Sequence, residues 1–144
     1  MRDKALKLLG LMRRAAAIEL GADRAADVTR SGRTRLLLLA SDAGENAAKK
    51  ADNALYGHSA LRVELPFTRT ELSEALGVGD CTMAAITDIG FAEAFIKLLA
   101  EIDAEKYSAA AASMAEKHGK ILRRKAEKGK KGQLKSNGMR RTNI

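Results

Sequence analysis

Five consecutive apolar residues, Leu36–Ala40, stand between Arg35 and the polar pair Ser41-Asp42. The run is long enough for a strand and too short for a helix of its own. A strand apolar on both faces belongs in the middle of a parallel or mixed sheet covered by helices on each side. Ser41 and Asp42 are good helix N-caps, and Asp42-Ala-Gly-Glu45 has the spacing of a capping box. The expected path is therefore strand, tight turn, helix. In open α/β sheets, ligands collect at such carboxyl ends.

The remaining segments fall around this one. Ala5, Leu8, Leu9, Met12 and Ala16 recur at helical spacing and predict a helix over Lys4–Ala17. Ile18-Glu-Leu20 is a minimal strand, and Gly21 turns the chain into a helix over Ala22–Ser31 that Gly32 closes. Arg24, Asp27 and Arg30 lie three apart on that helix and can pair. After the central strand come a helix to Leu55 and an alternating strand, Ala60–Leu65, of half-exposed or edge character. Thr68-Arg-Thr-Glu71 then opens a helix through Leu76. Cys81–Thr87 reads as a fourth strand, Asp88-Ile-Gly90 as a break, and Phe91–Glu101 as the closing helix. Strict alternation of helix and strand implies an α/β class fold, a three-layer α/β/α sandwich with a four-stranded mixed sheet. This domain takes residues 1–102. Residues 103–127 form a C-terminal amphipathic helix capped by Asp103, with the stripe Tyr107, Ala111, Met114, His118, Ile121 and Leu122. Residues 128–144, rich in Gly, Lys and Arg, have the composition of a disordered basic tail.

Charge is distributed unevenly along the chain. Residues 117–144 hold eleven Lys or Arg against the single acid Glu127, a net of +10, while residues 1–116 carry a net of −2. Within the latter, residues 1–40 are at +5 and residues 41–116 at −7. Arg123, Arg124, Lys125, Lys128, Lys130 and Lys131 can each neutralise a phosphate. Few aromatics accompany them, so the tail predicts salt-dependent affinity and not base reading.

Enzyme chemistry is scarce. No Walker sequence, GxSxG or CxxC occurs, and Gly77-Val-Gly79 is a turn without the third glycine of a nucleotide fingerprint. His58 and His118 lie far apart, and helix caps account for Asp42, Glu45, Glu71 and Asp103. Cys81, at a strand start, suits a core position better than a nucleophile. A catalytic reading would need an acid/base pair near Asp42 and Asp88. The expectation is no catalytic residue, no cofactor and no metal. A single cysteine fits a reducing cytoplasm. No apolar run approaches the ~18 residues of a membrane span, and Lys7, Arg13 and Arg14 break up the Leu-rich N-terminus. Oligomeric state is left open by the sequence.

Several ordered segments resemble a known family. They are Leu8-Leu-Gly-Leu-Met-Arg-Arg-Ala15, Gly21-Ala-Asp-Arg-Ala-Ala-Asp27, Ser31-Gly32, Leu36–Asp42, Glu71-Leu-Ser-Glu-Ala-Leu-Gly77 and Ala85-Ile-Thr-Asp-Ile-Gly-Phe91. Over about residues 4–100 the chain is similar to the ribosomal protein "L seven Ae" superfamily of kink-turn RNA-binding proteins, in its bacterial YlxQ-like branch. The resemblance implies the sandwich already derived, with RNA gripped at the start of the second helix by a Gly-x-Asn-Glu-x-x-Lys pattern. Here Gly21 and Ala22 are followed by Asp23 for Asn, Arg24 for Glu, and Asp27 for Lys. An ionised Asp only accepts hydrogen bonds, and Arg24 can donate to guanine O6 and N7. A second contact surface falls at Pro66–Arg69, where Phe67, Thr68 and Arg69 would stack on RNA and hold phosphate. Arg30 and Arg33 add charge. The expected function is thus a non-catalytic RNA-binding protein of ribosomes or other structured RNA, with altered kink-turn specificity. The alternative is a protein–protein interaction module on the same fold, using the acidic surface of 41–116 and the Tyr107–Leu122 stripe, with a non-specific polyanion-binding tail.

Overall fold

The computed structural model describes the backbone of residues 1–142 and the side chains of residues 1–128. Its elements are α1 (Arg2–Arg14), β1 (Ile18–Leu20), α2 (Ala22–Arg30), β2 (Leu36–Leu39), α3 (Glu45–Leu55), β3 (Leu61–Glu64), α4 (Arg69–Leu76), β4 (Met83–Ile86), α5 (Ile89–Ile102) and α6 (Ala104–Thr142). The sheet is mixed, in the order β1-β4-β2-β3. β2 pairs parallel with β3 through α3, and antiparallel with β4, which in turn pairs antiparallel with β1.

Burial of β2 explains its sequence. All four leucines are buried, and the pleat sends them alternately to the two faces. Leu36 and Leu38 join the larger core beneath α1, α4, α5 and α6, with Leu9, Met12, Leu72, Phe95 and Tyr107. Leu37 and Leu39 join the smaller core beneath α2 and α3, with Ala25, Val28 and Ala51. Each such leucine contributes ~1.5–3 kcal/mol of burial. β3 is an edge strand with Val63 inward and Arg62 and Glu64 outward, as its alternation implies.

Several boundaries differ from the sequence reading. Helix α1 stops at Arg14 instead of Ala17. Ala16 adopts a positive φ of 55°, and the Ala17 carbonyl already accepts from Thr87 N–H at 2.9 Å. Asp88 is not part of a break: its Oδ1 accepts from Phe91 N–H at 2.9 Å and caps α5, which therefore begins at Ile89. Asp103 caps α6 as expected, accepting from Lys106 N–H at 3.2 Å. Asp42 does not cap α3. That place is taken by Gly44, at φ 88°, without a side-chain cap.

Helix α6 docks on the domain over its first half. Tyr107 and Met114 are buried in the main core, with Ala110 and Ala111 packed beside them. The Tyr107 hydroxyl donates to the Glu64 carbonyl, and the Lys117 ammonium donates to the Ser59 carbonyl. Ten residues of helix cover ~15 Å, and the chain from Ser59 to Glu64 covers about the same distance. The two anchors thus hold α6 alongside edge strand β3, running the opposite way. The backbone helix continues to Thr142 with no boundary at residue 127 or 128.

Candidate nucleic-acid interface

Antiparallel pairing of β4 with β1 and β2 gathers three turns at one end of the sheet: Gly21 after β1, Ala40–Gly44 after β2 and Leu65–Thr68 after β3. This is the carboxyl end of β2, where the sequence places its site. Gly21 is the N-cap of α2 at φ 93° and ψ 154°, a conformation that disfavours any side chain. Its N–H donates to the Met83 carbonyl at 2.9 Å, which fixes the turn to the sheet. No atom lies within 4 Å of where a Cβ at Gly21 would stand, so the ground in front of the α2 start is open.

Asp23 and Arg24 are exposed on the first turn of α2, followed by the exposed Asp27 one turn later, while Ala25 and Ala26 are buried. Asp23 forms an ion pair with the half-buried Lys50 of α3. Hydrogen bonding to that ammonium, and its charge, hold the Asp23 carboxyl below the usual carboxylate range. Lys50 is a contact that sequence reading missed, since nothing local links positions 23 and 50. Arg24 makes no ion pair or side-chain hydrogen bond among the described residues. Asp27 pairs with Arg30 at 2.9 Å, the i, i+3 pairing expected from spacing. Arg33 Nε donates to Ser31 Oγ at 3.2 Å. Arg30 is the last residue of α2 and Arg33 lies just past it, so both are near the amino end of β2, apart from Gly21.

The loop before α4 corrects the expectation of a stacking surface. Phe67 is 0% exposed and belongs to the main core. The Arg2 guanidinium lies 4.9 Å from its ring centroid and donates to the Pro66 carbonyl at 3.0 Å. Phe67 therefore offers no face to a base. Thr68 is committed to a capping box, its hydroxyl accepting from Glu71 N–H at 3.2 Å while Glu71 Oε1 accepts from Thr68 N–H at 3.2 Å. Arg69 is held by Asp42: its N–H donates to Asp42 Oδ1 at 2.7 Å and its Nη2 to the Asp42 carbonyl at 3.1 Å. That use of Asp42 across the turn is why it is not the α3 cap.

The tail residues divide. Arg123, Arg124, Lys125 and Lys128 are exposed on α6, whereas the Lys130 and Lys131 side chains lie outside the described residues. The acid pair that catalysis would need is not assembled, because Asp42 follows β2 and Asp88 follows the antiparallel β4, at opposite ends of the sheet. Cys81 is buried, its Sγ donating to the Met83 carbonyl at 3.2 Å, and burial pushes its thiol pKa up. His118 sits against Glu93 of α5. A hollow of ≈ 840 Å³ between α1 and α4, lined by residues such as Leu6, Leu11 and Arg13, contains none of the sequence-derived site residues.

No family model matches the sequence. The chain is 35% identical over 97 residues to a Bacillus subtilis protein, the RNA-binding protein YlxQ, the match spanning 64% of this chain and 91% of that one. Among solved structures, a protein of unknown function from Bacillus halodurans superposes with a TM-score of 0.61 at 27% identity, covering 66% of this chain and 95% of its own. The Giardia lamblia 15.5kD RNA binding protein superposes at 0.51 and 20% identity, covering 72% and 84%, and shares the fold. Identity at that level across nearly all of a relative's length, on the sandwich described above, makes this chain a member of the YlxQ branch of the ribosomal protein L seven Ae superfamily.

Proposed function

We propose that the protein is a non-enzymatic, cytoplasmic RNA-binding protein that recognises structured RNA, on ribosomes or elsewhere, through the start of α2. The observation that carries this reading is kinship with a protein named for RNA binding over 91% of that relative's length. The geometry supports it. The open backbone turn at Gly21 lets a nucleic-acid backbone approach, and Arg24 projects beside it without an acid partner among the described residues. Arg24 donates to guanine O6 and N7, and Asp23 accepts from base amino groups. Lys50 offsets the repulsion that Asp23 would otherwise exert on phosphate. This chemistry differs from an Asn-Glu pair, so the reading is a kink-turn-like site with altered base preference. Arg69 adds a phosphate contact only by leaving Asp42.

The protein–protein alternative loses one of its two surfaces, because α6 spends Tyr107 and Met114 on its own domain. The test compares the full chain on a kink-turn RNA and a matched straight duplex at several salt concentrations. A preference for the kinked RNA that Arg24→Ala weakens about tenfold, the scale of one good bidentate base contact, supports the reading. Equal binding of both RNAs, unchanged in Arg24→Ala, overturns the α2 site.

A further inference from the structure

At the opposite end of the sheet, where β2 and β3 begin, the middle of α6 closes over a cleft of ≈ 270 Å³. Arg35 leads into β2, Ser59 leads toward β3, and Lys117, Lys120 and Arg124 come from one face of α6. Four cations line it and no carboxylate does. Such a cluster on a basic helix is ordinarily a solvated face, with each charge turned to water. Here the arrangement is more constrained. Lys117 is half-buried and donates to the Ser59 carbonyl. The Arg35 backbone is fixed to the sheet, its N–H donating to the Ile86 carbonyl at 2.7 Å, while the Arg35, Lys120 and Arg124 side chains are exposed at the mouth. Neither the Arg35 nor the Arg124 guanidinium has an ion-pair partner among the described residues. Lys120 has one, Glu116 at 3.5 Å, which is exposed and outside the cleft lining. Burial and the Arg35 charge both push the Lys117 pKa down, as expected where like charges face one another without an anion.

We propose that this cleft is a phosphate-binding site, and that in the RNA complex inferred above it holds a backbone phosphodiester at the far end of the domain from Gly21. The proposal rests on the RNA reading for its occupant, while the phosphate site itself stands on the cleft. Arg33, two residues before Arg35 in sequence, extends the same positive ground, while Arg30 is paired with Asp27. The two ends of β2 are ~10–13 Å apart, so RNA that holds both sites would run along α2 from its start to the amino end of the sheet and not touch the α2 start alone. The contact is to backbone: it adds affinity and fixes register, and carries no base preference.

The test uses the full-length protein, its Lys120→Gln/Arg124→Gln variant, and Lys4→Gln/Lys7→Gln as a control that removes the same charge from exposed positions on α1. Circular dichroism confirms that each is folded. Affinity for a structured RNA is measured against salt, and inorganic phosphate is titrated while the Thr34, Arg35 and Ser59 amide resonances are followed. The expected result is a roughly tenfold weaker affinity near 0.1 M salt and a log–log salt slope shallower by about 1–2 for the cleft variant. The control should change much less, and phosphate should move those three resonances. If RNA binds the cleft variant as it binds wild type, and phosphate leaves the resonances still, the proposal is overturned while the RNA reading stands. RNA binding independent of the cleft, with resonances that do respond, supports the phosphate site and assigns it a free phosphate in place of RNA. If wild type binds no RNA but the resonances move, the cleft stands and the RNA reading falls. No RNA binding and no response to phosphate would remove both.

Discussion

At the carboxyl end of β2, Arg24 apart, the charged side chains meet their opposites: Lys50 on Asp23, Arg69 on Asp42, Arg2 on Glu71. At the amino end, Arg35, Lys117 and Arg124 face one another, and only Lys120 has a carboxylate, Glu116, beside it. Exposed pairs of this kind contribute little to stability. Their main consequence is for the potential felt by a ligand. Pairing at one end cancels most of the local field, and lack of pairing at the other leaves it standing. Net charge along the chain therefore says little about which end attracts a polyanion. On the proposals above, the end rich in loops would serve recognition and the end crossed by α6 would add affinity.

The largest expected effect tests whether the loop before α4 belongs to the surface or the core. Phe67→Ala should destabilise the fold by ~3–5 kcal/mol, as truncation of a buried aromatic does. Urea unfolding would show this, while RNA affinity at full folding should hardly change. Normal stability with weakened RNA binding would return Phe67 to the contact surface and undo its assignment to the core.

Phe67 also shows what the sequence disclosed and what it concealed. All four strands and the six helices were legible, apart from the run of α6 from 128 to Thr142, because apolar periodicity reports burial and that run has almost no apolar residues. Val63, Leu65 and Phe67 continue the period-two pattern, and all three are buried. Ending the strand at Leu65 hides that signal. Asp42 had two possible uses, and its spacing to Glu45 could not reveal that Arg69, 27 positions away, would take it. Arg24 stands out in the sequence as a candidate because it sits in a local motif. Lys50 beside Asp23, and the meeting of Arg35, Ser59 and Lys117, are tertiary contacts without a local signature.

A smaller effect concerns the anchor that holds α6 in place to form the cationic end. Tyr107→Phe keeps the ring buried but leaves the Glu64 carbonyl without its donor, a loss of ~1 kcal/mol. Burial, with Asp103 and Glu64 nearby, pushes the Tyr107 pKa up to about 12. The unfolded phenol ionises near 10, so the folded state keeps a proton that the unfolded state loses. Wild-type stability should therefore fall as pH rises from about 10 toward 12. Tyr107→Phe should lack that fall, which denaturant midpoints across the range would reveal. Parallel alkaline curves would mean the hydroxyl is not held as described.

At the paired end, Asp23→Asn removes a negative charge and leaves Lys50 unopposed. RNA affinity should rise about threefold at low salt and converge with wild type as salt is raised. Asn keeps an oxygen for the base contact proposed above, so weaker binding would instead show that this contact needs the full charge of the carboxylate, and the pairing with Lys50 would then be a means of presenting it.

The smallest effect asks whether pairing at this end contributes to stability at all. Glu71 accepts from Thr68 N–H and from Arg2 Nη2 at 2.6 Å, and these contacts hold its carboxyl below the ordinary value of 4.5. A depressed folded-state pKa means that the stabilisation is fully present above the unfolded value and is lost as pH falls through the folded one. Glu71→Gln can still accept from Thr68, so at pH 7 it should cost no more than about 0.5–1 kcal/mol, the range of an exposed pair. Below about pH 4.5 the wild type should lose this increment and the variant should not, so their urea midpoints should converge as pH falls through the lowered folded-state value. A constant gap across that range would show that Glu71 acts through packing and neutral hydrogen bonding. The paired end would then gain no stability from its charges, and their arrangement would matter only for what the surface attracts.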